Sequence, residues 1–301
     1  SRKYTIFTAM KRSINHAIFL LTLQLPLVVA AQQKDTLNIH EVIIYENRLQ
    51  VPFNKHNRNI DFLSAEDIRK IPAKSLNELL SFMQGVDIRQ RGPFGTQADI
   101  SIDGGTFEQT LILVNGIKVS DPQTAHHNMN LPIPLEAIER IEVLRGPAAR
   151  IYGTNALTGA INIITKPLAQ TALMLHLYGG SSFEKVEPEA GKSGRYYSSG
   201  LQVGGSIAQK NHAHQLYYTK EKSNGQRYNS AAENDKIFYQ GNLNLNKNNH
   251  IDWLGSYIHN SFGSNGFYAA PGDRESAEIV STLLTSLSSK HQINEKWTLS
   301  P

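Results

Sequence analysis

Apolar and polar positions follow two different periods along the chain. Leu76, Leu79, Leu80 and Met83 recur at i, i+3, i+4 and i+7, which places them on one face of a helix directed at a core. Ser75 precedes this stripe with Glu78 three residues on, and Ser64 opens "SAEDIRKI" with Asp67 three residues on. Both match the capping-box pattern, so two short helices are predicted. Gly85 is placed to close the second helix. Strands are predicted at 86–90, 98–103, 110–119, 138–146 and 160–166. Asn115-Gly116 splits the third of these with a strong two-residue turn signal. Residues 55–166 therefore read as a compact α+β domain.

Beyond Lys166-Pro167 the period becomes two. In "KIFYQGNLNLN" (236–246), Ile237, Tyr239, Leu243 and Leu245 point one way, while Gln240, Asn242, Asn244 and Asn246 point the other. Leu173, Leu175 and Leu177 alternate with Met174, His176 and Tyr178; Ile251, Trp253 and Tyr257 alternate with Asp252 and Ser256. Only 213–220 alternates poorly. These segments run to roughly nine to fourteen residues, long for soluble strands. The pattern suits a membrane β-barrel, apolar outside with a wet lumen. Connections alternate in length: 181–195, 223–235 and 262–273 are long, whereas 209–211, 247–249 and 291–295 are short. Long outer loops and short periplasmic turns give a barrel this rhythm. About six strands and the start of a seventh fit before Pro301. Six strands would leave open edges in lipid, and a plugged lumen needs about 22. The sequence is therefore expected to be the N-terminal part of a longer protein.

Lys11 and Arg12 precede the apolar run "AIFLLTLQLPLVVAA" (17–31), with Val29 and Ala31 at the −3 and −1 positions of a cut before Gln32. This describes a secretory signal. The run is short for the ~20 residues of a spanning helix and contains Pro26. No later segment could be such a helix, so any membrane entry is by strands. The 301 residues carry a formal charge of +4. Part of it sits in the removable segment, and no basic block points to nucleic acid. The absence of cysteine rules out a disulfide framework, a thiolate metal site and a Cys nucleophile. "EAGKSG" (189–194) mimics the end of a phosphate loop, but Val186 stands where its first Gly is required.

The stretch "IERIEVLRGPAARIYGTNALTGAINIITK" (138–166) resembles the end of the plug domain in TonB-dependent outer-membrane receptors. The helix pair, "GVDIRQRG", "ADISIDGG" and "TLILVNGIKVSDP" are similar to the upstream pieces, so 35–170 match densely and the rest by pattern. The resemblance implies an α+β plug domain followed by antiparallel transmembrane β-barrel strands, an incomplete part of a 22-stranded barrel. It divides the chain into a signal peptide with upstream residues (1–31), a periplasmic leader with a TonB box (32–54), the plug (55–166) and the first part of the barrel (167–301). It implies energised uptake of a scarce nutrient across the outer membrane of a Gram-negative bacterium, without enzymatic chemistry. "DTL" (35–37) and "VNGIKVSDPQTAHHNMNLPI" (114–133) look closest to the vitamin B12 (cobalamin) receptor-like branch. Cobalamin or a related corrinoid is thus the expected ligand. A ferric siderophore or haem is the alternative within the family, and an adhesin or passive porin the alternative outside it.

The implied partners are TonB, the membrane lipid and lipopolysaccharide around the barrel and the nutrient ligand, with room for a surface lipoprotein. The plug loops implied to touch ligand are 90–97, with Gln90, Arg91, Phe94, Thr96 and Gln97, and 120–128, with Asp121, Gln123, Thr124, His126, His127 and Asn128. Two segments are candidates for the TonB box, which pairs with TonB by strand addition: Asp35, Thr36 and Leu37, or Val42, Ile43, Ile44 and Tyr45. The second is favoured for its β-branched run. Glu142 and Arg145 are candidates for an ionic lock between plug and barrel wall, set against a solvated strand face. Asp103 stands where the family commonly has Arg, which alters the plug's internal pairing. His126-His127 lacks the further ligand a metal needs. Glu233 and Asp235 offer hard oxygens to calcium at a spacing that matches no defined calcium loop, so a solvated loop and no cofactor are expected.

Overall fold

The computed structural model describes residues 43–46, 49–52, 60–147, 152, 154–168, 170–187, 194–267, 274–294 and 296–300. The signal-peptide reading, Asp35, Thr36, Leu37 and Val42 lie outside the described residues. Ahead of the α+β region, β1 (Ile43–Glu46) and β2 (Leu49–Pro52) pair antiparallel, with Ile43 opposite Pro52.

The α+β region begins with β3 (Ile60–Ser64), α1 (Ala65–Lys70) and α2 (Leu76–Leu80). Ser64 caps α1 in a complete capping box: its hydroxyl accepts from the Asp67 N–H while the Asp67 carboxylate accepts from the Ser64 N–H at 3.1 Å. Hydrogen bonds from the Ser64 side chain and backbone hold the Asp67 carboxyl below the usual carboxylate range. Its contribution to stability is therefore present near neutral pH and is lost as pH falls through that depressed value. Ser64→Ala is expected to cost about 1 kcal/mol in the stability of the α+β region, read by chemical denaturation of the full-length protein. At α2, Ser75 caps the Glu78 N–H, but the Glu78 carboxylate reaches back to the Lys74 N–H at 2.8 Å, so the box is offset by one residue. Leu76, Leu79, Leu80 and Met83 are all buried, and Gly85 (φ 68°) ends the segment.

The strands β4 (Val86–Gln90) and β5 (Ala98–Ile102) form one hairpin. Next come β6 (Thr110–Val114), β7 (Ile117–Val119), β8 (Ile138–Arg145) and β9 (Gly159–Thr165). Asn115 (φ 51°) and Gly116 (φ 79°) make the tight turn between β6 and β7. Together with β3 these strands form a five-stranded sheet of order β3-β8-β9-β6-β7, in which β6 and β9 run parallel. Gly159 lets β9 lie close to β8: a Cβ there would stand 2.3 Å from the Leu144 carbonyl oxygen.

A seven-stranded antiparallel sheet follows in sequence order: β10 (Ala172–Lys185), β11 (Arg195–Ala208), β12 (His212–Ser223), β13 (Ala232–Asn246), β14 (Asn249–Gly263), β15 (Ala277–Gln292) and β16 (Thr298–Leu299). Its connections alternate long and short, as the sequence implies. The strands are longer than expected: residues 232–235, read as loop, belong to β13. The register sets Lys220 opposite Asp235 and Lys222 opposite Glu233, and these cross-strand ion pairs extend the ladder. Leu173, Leu175 and Leu177 are exposed on one face, while Gln202, Gln215, Asn234, Ser256 and Asn260 are buried on the other. The weakly patterned 213–220 obeys the same rule, with Ala213, Gln215 and Thr219 inward and Leu216 outward. Phe238, Leu254 and Ile258 are apolar yet inward. Phe238 and Leu254 belong to the same buried cluster as Leu79, Leu80, Ile100, Ile141 and Ile161 of the α+β region.

Candidate functional site

Both candidate loops lie at the end of the sheet that carries the long connections. Phe94 packs on Ala232, Phe262 and Phe267, next to the long connections that precede β13 and follow β14. His127 Nε2 lies 3.6 Å from Glu278 Oε2, at the start of β15.

The first loop turns sharply at 93–95, with Phe94 at φ 57°. Phe94, Thr96 and Gln97 are buried and shape the loop. Gln90 donates to the Gly92 carbonyl at 2.6 Å, and the Arg91 N–H donates to the Gln97 carbonyl at 3.2 Å across the loop's base. The second loop is tied by its own side chains. Asp121 accepts from the Gln123 and Thr124 N–H groups at 2.8 and 3.0 Å, and Asn128 accepts from the Asp121 N–H at 2.8 Å. Thr124 caps the turn at 125–127. Gln123 is exposed, whereas Gln90, Arg91, Asp121, Thr124, His126, His127 and Asn128 are half-buried.

The residue that joins the loops is Asp99 of β5, which sequence reasoning missed. Its Oδ2 lies 3.2 Å from Arg91 Nη2 and its Oδ1 2.6 Å from His126 Nδ1, and the residue is 9% exposed. Arg91 also donates to the Phe267 carbonyl at 2.6 Å, and the His126 ring sits 4.4 Å from that of Phe107. The result is a preorganised polar surface in which one carboxylate fixes a guanidinium and an imidazole. An acid between Ala98 and Ile100 in an apolar strand was the available signal.

Directly after this loop the chain docks on the inner wall. Asn130 Nδ2 donates to Thr282 Oγ1 at 2.9 Å, and Ser256 Oγ donates to the Pro132 carbonyl at 2.8 Å. Met129, Leu131 and Ile133 join the cluster that holds Phe238 and Leu254. One continuous stretch thus carries loop residues at one end and the wall seam at the other.

Glu142 and Arg145 are paired inside the α+β region. Glu142 accepts from Arg140 Nε at 2.8 Å and from Asn162 Nδ2 at 3.1 Å. Arg145 bridges Asp61 and Asp103, each at 2.7 Å, and also bonds the Gln84 carbonyl. Asp103, the departure noted in the sequence, is thus part of the Arg145 cluster. Other charged and aromatic groups meet the described strands of the wall. Lys74 sits 5.1 Å from the centre of the Tyr178 ring; Tyr178 donates to Glu221, and Lys236 lies 3.3 Å from Glu221. Glu136, on the turn at 135–137, has its carboxyl pushed up by burial, against the pull of His176, Lys166 and Lys236. Glu233 and Asp235 are engaged by Lys220 at 2.8 and 3.0 Å, and among the described residues no three His, Cys, Asp or Glu side chains converge as a metal site.

The family model for the TonB-dependent Receptor Plug Domain matches residues 54–160, the region just described. The chain carries a TonB-dependent receptor plug domain. Its receptor relatives include the Vitamin B12 transporter BtuB of Vibrio cholerae, 36% identical over 129 residues, 43% of this chain and 21% of the relative. BtuB of Photobacterium profundum is 30% identical over 192 residues, 64% of this chain and 28% of the relative. A probable TonB-dependent siderophore receptor, PirA of Acinetobacter baumannii, is 28% identical over 214 residues, 66% of this chain and 28% of the relative. The chain therefore spans 21% to 28% of the length of these curated relatives. The fold is shared with the unliganded ferric citrate transporter FecA (TM-score 0.65, 19% identity, 84% of this chain and 40% of that one). It is shared too with the siderophore receptor PirA of Pseudomonas aeruginosa (TM-score 0.58, 23% identity, 82% and 40%). The α+β region is thus a receptor plug, and the seven-stranded sheet is part of the barrel around it.

Proposed function

We propose that this receptor lies in the outer membrane of a Gram-negative bacterium and imports a corrinoid, cobalamin or a close relative, by TonB-driven displacement of the plug. The observation that carries the ligand class is the 36% identity to a vitamin B12 transporter. In this reading residues 1–31 direct export, 32–54 hold the TonB box, 55–166 are the plug and 167–301 open the barrel. The Arg91–Asp99–His126 surface and the exposed Gln123 face the ligand from the outer side, and bonds in the ligand stay intact. The half-buried polar groups suit a large ligand rich in amide donors and acceptors, which can match them without strong charge.

A ferric siderophore is the second reading, supported by similarity to a siderophore receptor over a longer stretch of the chain. Uptake competition with the full-length receptor separates the two. Labelled cobalamin is offered against unlabelled cobalamin, ferric siderophores and haem, with and without the proton-motive force. Competition by corrinoids alone supports the first reading; competition by ferric siderophores alone replaces it. Uptake that persists without TonB would point to a passive porin.

Asp99→Ala is expected to weaken cobalamin binding about tenfold, since both loops lose a charge-assisted bond at a partly exposed site. Equilibrium binding to the full-length receptor checks it, with Asp99→Asn intermediate. An unchanged affinity would detach these loops from the ligand.

A further inference from the structure

Arg91 is held from two sides at once. Its Nη2 lies 3.2 Å from Asp99 Oδ2 within the plug, and its Nη1 donates to the Phe267 carbonyl at 2.6 Å. Phe267 belongs to the long connection that follows β14. Its ring lies 5.8 Å from that of Phe262, in the cluster that also holds Phe94. A guanidinium is planar and its donors leave in fixed directions, so two acceptors on different partners set both its place and its tilt. The plug supplies one acceptor and the wall connection the other.

The Phe267 carbonyl is a backbone atom, so its position depends on the turn at 264–267. The Phe267 N–H donates to the Ser264 carbonyl at 3.1 Å, with Gly266 at φ 70° between them. This turn is docked on the connection between β12 and β13. Asn265 Nδ2 donates to the Tyr228 carbonyl at 2.8 Å, and the Asn265 carbonyl accepts from Arg227 Nη2 at 3.0 Å. Tyr228 is itself tied on both flanks. Its N–H donates to Glu187 Oε2 at 3.0 Å, after β10, and its hydroxyl donates to Glu275 Oε1 at 2.7 Å, before β15. Asn229 Nδ2 donates to the Arg274 and Ser276 carbonyls at 2.7 and 2.8 Å. Three long connections are thereby joined in one frame, and the turn that carries Phe267 hangs on it through Asn265.

We infer that Asn265 is a positioning residue for the ligand-facing surface: docked on Tyr228, it holds the Phe267 carbonyl in place and so fixes the Arg91 guanidinium beside Asp99. Arg91 Nε is buried without a partner, so a shift of the Phe267 carbonyl leaves Asp99 as the guanidinium's remaining hold. The wall connections in this way shape the plug loop without touching the ligand. The effect on binding rests on the reading of the Arg91–Asp99–His126 surface as ligand-facing; the positioning itself is a property of the unliganded protein.

Two measurements on the full-length receptor test the two parts separately. Hydrogen exchange read by mass spectrometry, without ligand, reports the positioning. Asn265→Ala should speed exchange about fivefold at 91–97, where the Arg91 N–H is bonded to the Gln97 carbonyl, as well as at 264–267. Faster exchange at 264–267 with 91–97 unchanged would overturn the assignment, since the turn would then move without the plug loop. Equilibrium binding of labelled cobalamin reports the consequence. Asn265→Ala should weaken it about fivefold, the net worth of one hydrogen bond, and should add nothing in an Arg91→Ala background. An equal loss in both backgrounds would make Asn265 a direct contact and overturn the assignment. Arg227→Ala, which removes an exposed bond to the same turn, should shift both readouts in the same direction and serves if Asn265→Ala fails to fold. A wild-type receptor that binds no cobalamin would sink the corrinoid reading, and the exchange measurement would still decide the positioning.

Discussion

A receptor carrying Ile43→Pro is expected to bind its ligand as wild type does and to import none of it. The substitution removes one backbone donor from β1 and fixes φ, and strand addition draws its energy from main-chain hydrogen bonds. β1 is already an extended strand, paired with β2 from Ile43 opposite Pro52 to Glu46 opposite Leu49, the conformation that strand addition requires. Labelled ligand bound by de-energised cells, compared with uptake by energised cells, separates the two effects. Normal uptake by the variant would turn attention to Asp35, Thr36 and Leu37.

The second large effect is expected at Gly159. Its added methyl would meet the Leu144 carbonyl oxygen at 2.3 Å and Ile102 Cδ1 at 2.9 Å. The first of these is backbone, so relief requires β8 and β9 to part at Arg145–Gly159, beside the Asp61–Arg145–Asp103 cluster. Gly159→Ala should cost about 3 kcal/mol, the upper end of overpacking penalties. Protease cleavage within 60–165 and entry of bulky antibiotics into cells would report the loosened plug. Gly116→Ala is the contrast. Open space surrounds its Cβ position, so only its positive φ (79°) is penalised, at about 1 kcal/mol. Equal behaviour of the two variants would show that the close approach of β8 to β9 is not what holds the plug.

Features set by neighbours in sequence were readable from the chain alone. The stripe Leu76, Leu79, Leu80 and Met83 needs only the helical period, and Asn115-Gly116 needs only the left-handed backbone that a tight hairpin demands. The long-short rhythm of the connections needs only strand counting. What escaped depends on partners distant in sequence. Phe94 is a candidate ligand contact through the resemblance of its loop, but that it packs against Phe262 and Phe267, more than 160 residues on, no local pattern encodes. Arg145 faces Asp61 because β3 pairs with β8, a pairing no local pattern encodes. Phe238 broke the inward-polar rule for the same reason: it touches the plug, not water.

The shared apolar cluster has a consequence for assembly. Met129, Leu131 and Ile133 find their cover in Phe238 and Leu254, so the plug's interior is finished by atoms of the cylinder that surrounds it. The stopper is cast against its mould. Cut free, it would present a greasy scar along that flank, open to its neighbours until the wall has closed over it.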